Sequence, residues 1–218
     1  MTTTAPITTS TQATHHTSWE TVAFAFKDWA LACEALGSGR QSVILRKGGL
    51  AEGRGGFVFQ HERFFLFPTR YHEQAEKIRV EELAALTATA ADAGAAADDL
   101  VTVRYAFHLE WSRRVENWET AARLAPWHVY REEVVRERFA YADRQHLAGM
   151  LTVGFGRAYR LEPVWRLADR PAFGGCKSWI TLPADERPPG LRFTPVLGDA
   201  EHAARAAQLE RLLAHSEA

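Results

Sequence analysis

From Leu100 to Leu109 the chain sets Val101, Val103, Tyr105 and Phe107 against polar or small neighbours, the period of a half-buried strand. Such a strand is marginal alone, so the rest of the chain must supply partners for it. Gln41 to Leu45 is apolar and β-branched enough to be one, ending in Arg46 and Lys47 before Gly48 and Gly49. Phe57 to Gln60 and Phe64 to Phe67 read as a hairpin around His61, Glu62 and Arg63, with Pro68 stopping its second strand. Leu147 to Leu161 is strand-like around Gly154 and Gly156, glycines that signal a bulge or close backbone approach, and Ser178 to Leu182 is another short strand.

Helical spacing interrupts these runs. Phe26, Trp29, Ala30, Cys33 and Leu36 recur at steps of three and four and predict a helix from Phe24, ended by Gly37. His72 to Leu86 has the same period. Asn117 is placed to cap a helix through Leu124, Pro126 to open a second through Val135, and Asp199 to cap a last one with Ala203, Ala206, Leu209 and Leu213 on one face. No regular alternation of strand, helix and strand runs through this order. The expected class is therefore α+β: a mixed, mostly antiparallel sheet or small barrel with helices packed on it.

Residues 1–22 read as a disordered Thr-rich tail and 23–215 as one domain, with a low-complexity surface insertion at about 87–99. At 218 residues with 46% hydrophobic content, one core accounts for the chain without a metal to fold it. The formal charge of -1 excludes the broad nucleic-acid affinity of a strongly basic protein and leaves room for a local basic stripe. Two cysteines, Cys33 and Cys176, make no disulfide framework. With no apolar run near the roughly 20 residues that span a bilayer, the expectation is a cytoplasmic protein without a membrane partner.

Four arrangements carry potential chemistry. Arg46 and Lys47 before the glycine-rich stretch Gly48 to Gly56 would hold a phosphate or carboxylate, although no Walker order of glycines and Lys is present. His61, Glu62, His72 and Glu73 offer nitrogen and carboxylate ligands but lack the His-Glu-x-x-His spacing. Cys176 beside Lys177 in a glycine-rich turn would be a nucleophile only with a base such as His72, His108, His128 or His146 nearby. A metal-dependent nuclease would need a carboxylate two residues before Lys47, where Leu45 stands, so Glu34 or Glu62 would have to replace it and Mg²⁺ or Mn²⁺ would be required.

Phe26-Lys27-Asp28-Trp29-Ala30, Glu34-Ala35-Leu36 and Leu45-Arg46-Lys47-Gly48-Gly49 resemble the bacterial family catalogued as domain of unknown function 1802. The likeness continues through Phe67-Pro68-Thr69, His72, Gln74 and Gly174-Gly175-Cys176-Lys177-Ser178-Trp179, and covers about 24–213. Lys177 departs from it where Arg is the commoner residue, keeping the charge without the planar fork. The family has no established activity to carry over. At fold level the helix followed by a strand ending in Leu-Arg-Lys also looks like the opening of PUA-like barrels, a group that includes RNA-binding modules.

The leading expectation is a non-catalytic module that binds nucleic acid or a nucleotide through Arg46, Lys47, His72, Gln74, Lys177, Ser178 and Trp179, with no cofactor. Behind it stand a divergent metal-dependent nuclease or phosphodiesterase, and a protein-interaction factor using the helices between Trp118 and Phe139. No particular protein partner is implied.

Overall fold

The computed structural model describes residues 18–47, 57–70, 73–92, 99–141 and 149–214. Seven strands form one mixed sheet: β1 (Phe24–Trp29), β2 (Val43–Arg46), β3 (Arg63–Thr69), β4 (Leu100–Val115), β5 (Leu151–Ala168), β6 (Trp179–Thr181) and β7 (Arg192–Pro195). Their order is β2-β5-β4-β3-β1-β6, with β7 beside β2 on the free edge of β5. Only β1 and β3 run parallel; every other pair is antiparallel. Six helices accompany the sheet: α1 (Ala30–Gly37), α2 (Gln74–Lys77), α3 (Val80–Asp92), α4 (Trp118–Ala122), α5 (Glu132–Ala140) and α6 (Asp199–Ala214). The α+β class and the mixed, mostly antiparallel sheet are as expected from the sequence.

Several local expectations are corrected. The helix predicted from Phe24 is two elements: the first half is β1 and only Ala30 onward is helical. Residues 57–60 are not a strand, so there is no hairpin around His61. Pro68 does not stop β3, which continues to Thr69 with Pro68 opposite Asp28. This is tolerated because β3 meets β4 only from Arg63 to Leu66, leaving no ladder partner on that side to miss the proline N–H. α3 runs on to Asp92, so the low-complexity stretch is partly helical, and α5 starts at Glu132, after the 3-10 turn Ala125–Trp127 that Pro126 opens. On α6 the buried residues are His202, Leu209, Leu212 and Leu213, whereas Ala203 is exposed. At the other end, Trp19 precedes the expected domain start and is packed, stacked on Phe193 at 4.6 Å and edge-on to Tyr159 at 5.5 Å.

The most consequential difference lies in β4. A register shift between Val103 and Tyr105 switches the strand's faces, so Val101 and Val103 enter one cluster with Phe65, Trp165 and Ile180. Tyr105 and Phe107 enter another, with Phe26, Ile44 and Phe64. A second shift follows between Leu109 and Trp111. Opposite it stands Gly156, where an added Cβ would lie 2.0 Å from the His108 carbonyl oxygen; only glycine lets the two backbones approach so closely. These irregularities curl the sheet. Its two end strands, β2 and β6, meet through side chains rather than ladder bonds, as described below.

A third cluster joins the β2 and β5 faces carrying Val43, Leu45, Val153 and Phe155 to the helices. α4 enters it through a cap read correctly from the sequence: Asn117 Oδ1 accepts from the Thr120 amide at 3.1 Å. Asn117→Ala is expected to cost about 1 kcal/mol, read as a lower urea midpoint.

Candidate nucleotide cleft

Strand alternation sends Ile44 and Arg46 to one face of β2, and Val43 and Leu45 to the other. The Arg46 guanidinium therefore lies over the rings of Phe26 at 4.8 Å and Phe57 at 5.2 Å. Its Nη2 donates to Ser178 Oγ at 2.7 Å, across the gap between the two ends of the sheet. Phe57 is held there because Thr152 Oγ1 donates to its carbonyl at 2.9 Å. On the far side, the Lys27 amide donates to the Ser178 carbonyl at 2.9 Å, extending the β1 and β6 pairing by one residue. Lys27 Nζ donates to the carbonyls of Phe173 and Gly175 at 2.7 and 2.8 Å, fixing the turn that precedes Ser178. Burial lowers the Lys27 pKa, consistent with an ammonium held against backbone rather than in water. Trp179 packs against Phe26, Phe64 and His61 at 4.9 to 5.0 Å, and its indole Nε1 is buried without a hydrogen-bond partner.

Arg46, Ser178 and Trp179 are thus brought together, with Lys177 exposed beside them on the chain. Lys47 turns away, its Nζ 3.5 Å from the centroid of the Tyr141 ring. Gln74 is engaged at the start of α1, where its Oε1 accepts from the Leu31 amide at 3.0 Å. This satisfies an otherwise orphaned helix N–H. His72, His146 and the stretch from Gly48 to Gly56 lie outside the described residues.

The other arrangements are distributed differently. His61 stacks on Phe24 at 3.6 Å, and burial lowers its pKa. Glu62 is paired with His108 at 2.7 Å and Arg63 at 3.3 Å. Glu34 accepts from Arg104 at 2.8 Å and from the Tyr105 hydroxyl at 2.7 Å. Tyr105 and His108 are three residues apart in a regular stretch of β4, so Glu34 and Glu62 engage opposite faces of the sheet and cannot share one ion. No group of three or more His, Cys, Asp or Glu suited to a metal occurs among the described residues. Cys176 is exposed after Gly175, whose φ is +78°, while His108 and His128 are engaged elsewhere, with Glu62 and the Tyr130 amide. Between Trp118 and Phe139 no large hydrophobic is exposed, and Trp118 lies under the Arg136 guanidinium at 4.0 Å. The apolar stripe that would mark a protein-interaction surface there is absent among the described residues.

Sequence reasoning missed three residues around Trp29. Asp28 is only 4% exposed; its Oδ1 accepts from the Trp29 amide at 2.9 Å, and Oδ2 has no partner. Tyr130 is 1% exposed, edge-on to Trp29 at 5.6 Å. Its hydroxyl lies near Arg138 and Gln41 but outside hydrogen-bond geometry with either, and its pKa is raised by burial and then by the charge of Asp28. The Arg138 guanidinium covers Tyr130 at 4.2 Å and Trp29 at 4.8 Å while Nη1 donates to the Leu45 carbonyl, adjacent to Arg46. An aspartate inside the apolar run Phe24 to Trp29 was the available signal; nothing in the sequence marks Tyr130 or Arg138.

No helix among the described residues is long and apolar enough to cross a membrane. No curated protein matches the chain. Among solved structures, the ASCH protein of Zymomonas mobilis matches at 14% identity and a TM-score of 0.42, over 75% of this chain and 89% of that one. A serine-to-alanine variant of the same protein matches at 13% identity and a TM-score of 0.44, with the same coverage. At these scores the likeness carries nothing about site or activity, and the PUA-like comparison drawn from the sequence stays at fold level. Sequence is more decisive: the family model described as domain of unknown function (DUF1802) matches residues 25–208, and the chain belongs to that family.

Proposed function

We propose that this protein is a binding module for a nucleotide or single-stranded nucleic acid, held in the cleft between the ends of β2 and β6. The observation that carries the reading is the Arg46 guanidinium, set over two phenyl rings and bonded to Ser178, with the exposed Lys177 next to Ser178 on the chain. Guanidinium and ammonium groups take phosphate oxygens, and the half-buried indole of Trp179 offers apolar surface to a base. No cofactor belongs to this reading. The two cysteines are free thiols, one of them exposed, which suits the reducing cytoplasm.

The test is charge reversal. Arg46→Glu with Lys177→Glu is expected to weaken binding of a labelled single-stranded RNA by roughly a hundredfold or more, and to lower the slope of log affinity against log salt by about 1.4 to 2. Fluorescence anisotropy at several salt concentrations reads both quantities, and a thermal melt checks the fold. Undiminished affinity in a folded double variant overturns the proposal.

A further inference from the structure

Large apolar side chains left in water call for an explanation when they gather at one place. Among the described residues three are exposed: Phe24, Val58 and Val80. Phe24 stands two positions before Phe26 on β1, and Val58 directly follows Phe57, so two of the three are close chain neighbours of the rings beneath the Arg46 guanidinium. Phe24 is 40% exposed where Phe26, on the same face of the strand, is fully buried. One ring partners it: Phe24 stacks on His61 at 3.6 Å, the two planes 8° apart. His61 in turn meets Trp179 edge-on at 4.9 Å, and Trp179 meets Phe26 at 5.0 Å. An unbroken aromatic row therefore runs from the Arg46 cation to the exposed Phe24. His61 lends it no charge: burial lowers its pKa from 6.5, which leaves the imidazole neutral at pH 7. Glu62 beside it is taken up by Arg63 at 3.3 Å and His108 at 2.7 Å. The far end of the row thus offers flat, neutral ring surface, suited to a base rather than a phosphate.

We infer that the Phe24–His61 stack is a second base platform, so that the site takes a run of at least two unpaired nucleotides rather than a lone nucleotide. The inference rests on the reading of the Arg46 cleft as a phosphate and base site. One base lies against the Trp179 indole with its phosphate at Arg46, and its neighbour extends the Phe24–His61 stack, one imidazole further along the row. That second base covers the apolar surface Phe24 leaves in water. Stacking asks only for a π-face, so the platform adds affinity without reading sequence. It also demands unpaired bases, because a base inside a duplex has both faces covered by its neighbours.

The experiment measures equilibrium binding of uridine monophosphate and of a short single-stranded oligouridylate, which has little stacking of its own to lose, to the full chain and to Phe24→Ala. The substitution is expected to weaken the oligouridylate about tenfold and to leave the monophosphate unchanged. The slope of log affinity against log salt is expected to stay the same, since no cation is removed. Phe24→Trp keeps a ring in place and is expected to bind the oligouridylate at least as tightly as the parent. A thermal melt checks that each variant folds, and His61→Ala, which removes the other ring of the stack, repeats the test if Phe24→Ala does not. A loss shared equally by both ligands, or no loss in the folded variants, overturns the second platform and leaves the Arg46 cleft standing. The same conclusion follows if Phe24→Ala changes only the association state of the chain, which would make the ring part of a contact between copies. If neither ligand binds the parent protein, the cleft reading itself fails, and the platform with it.

Discussion

Glu34→Ala is expected to cost about 3–5 kcal/mol of folding stability, seen as a large drop in urea midpoint with little change of slope. Glu34 is 6% exposed on α1, and both its oxygens are engaged by β4, Oε1 by Arg104 and Oε2 by the Tyr105 hydroxyl. The same Arg104 nitrogen donates to the Thr89 carbonyl at 3.1 Å, so this carboxylate joins α1, β4 and α3. Alanine would leave a half-buried cation without its anion and a buried hydroxyl without its acceptor, the costly way to break such a group. The Tyr105 pKa is pushed well up, first by burial and then by the Glu34 charge, which keeps the phenol a donor at neutral pH. Glu34→Gln retains an acceptor for one partner and is expected to cost less than half as much. The outcome also bears on the nuclease alternative: a carboxylate kept to bind metal is tolerated poorly in metal-free protein, so its removal would be neutral or stabilising.

What was legible beforehand follows how far each signal extends along the chain. β2, the first half of β4, β6 and the Asn117 cap are announced by neighbouring residues and were read. β1 was not, because a strand that passes directly into a helix with no turn residue between them leaves Phe26, Trp29, Cys33 and Leu36 at helical spacing by coincidence. Its parallel partner β3 begins 34 positions after the end of β1, and nothing local announces that pairing. The face switch at Val103 and Tyr105 was equally invisible, since each half of β4 alternates correctly and only the register against β5 changes. At the cleft, the residue types at Arg46 and Ser178 were legible, but their bond joins positions 132 apart at opposite ends of the sheet. Asp28 was hidden by the misreading of β1. Once that segment is a strand, a carboxylate on the face of Phe26 has to be buried and becomes a feature requiring explanation.

Acid is expected to destabilise the protein through His128. The imidazole is 2% exposed, its Nδ1 accepts from the Tyr130 amide at 3.2 Å, and its pKa is lowered from 6.5 to about 3 by burial and then by the charges of Arg79 and Arg138. The unfolded chain takes up a proton that the folded chain refuses. This contribution to stability is therefore complete above about pH 6.5 and declines as the pH falls toward about 3. The decline is about 1.4 kcal/mol per pH unit, or about 3 kcal/mol by about pH 4. His128→Asn places an amide oxygen near the position of Nδ1 and removes the titration, so the variant is expected to lose about 3 kcal/mol less than the parent between pH 7 and pH 4. Urea midpoints of both proteins at the two pH values measure the difference; equal losses would exonerate His128. Protonation also removes the acceptor that holds the Tyr130 backbone, which stands beside Arg138, Trp29 and the open oxygen of Asp28.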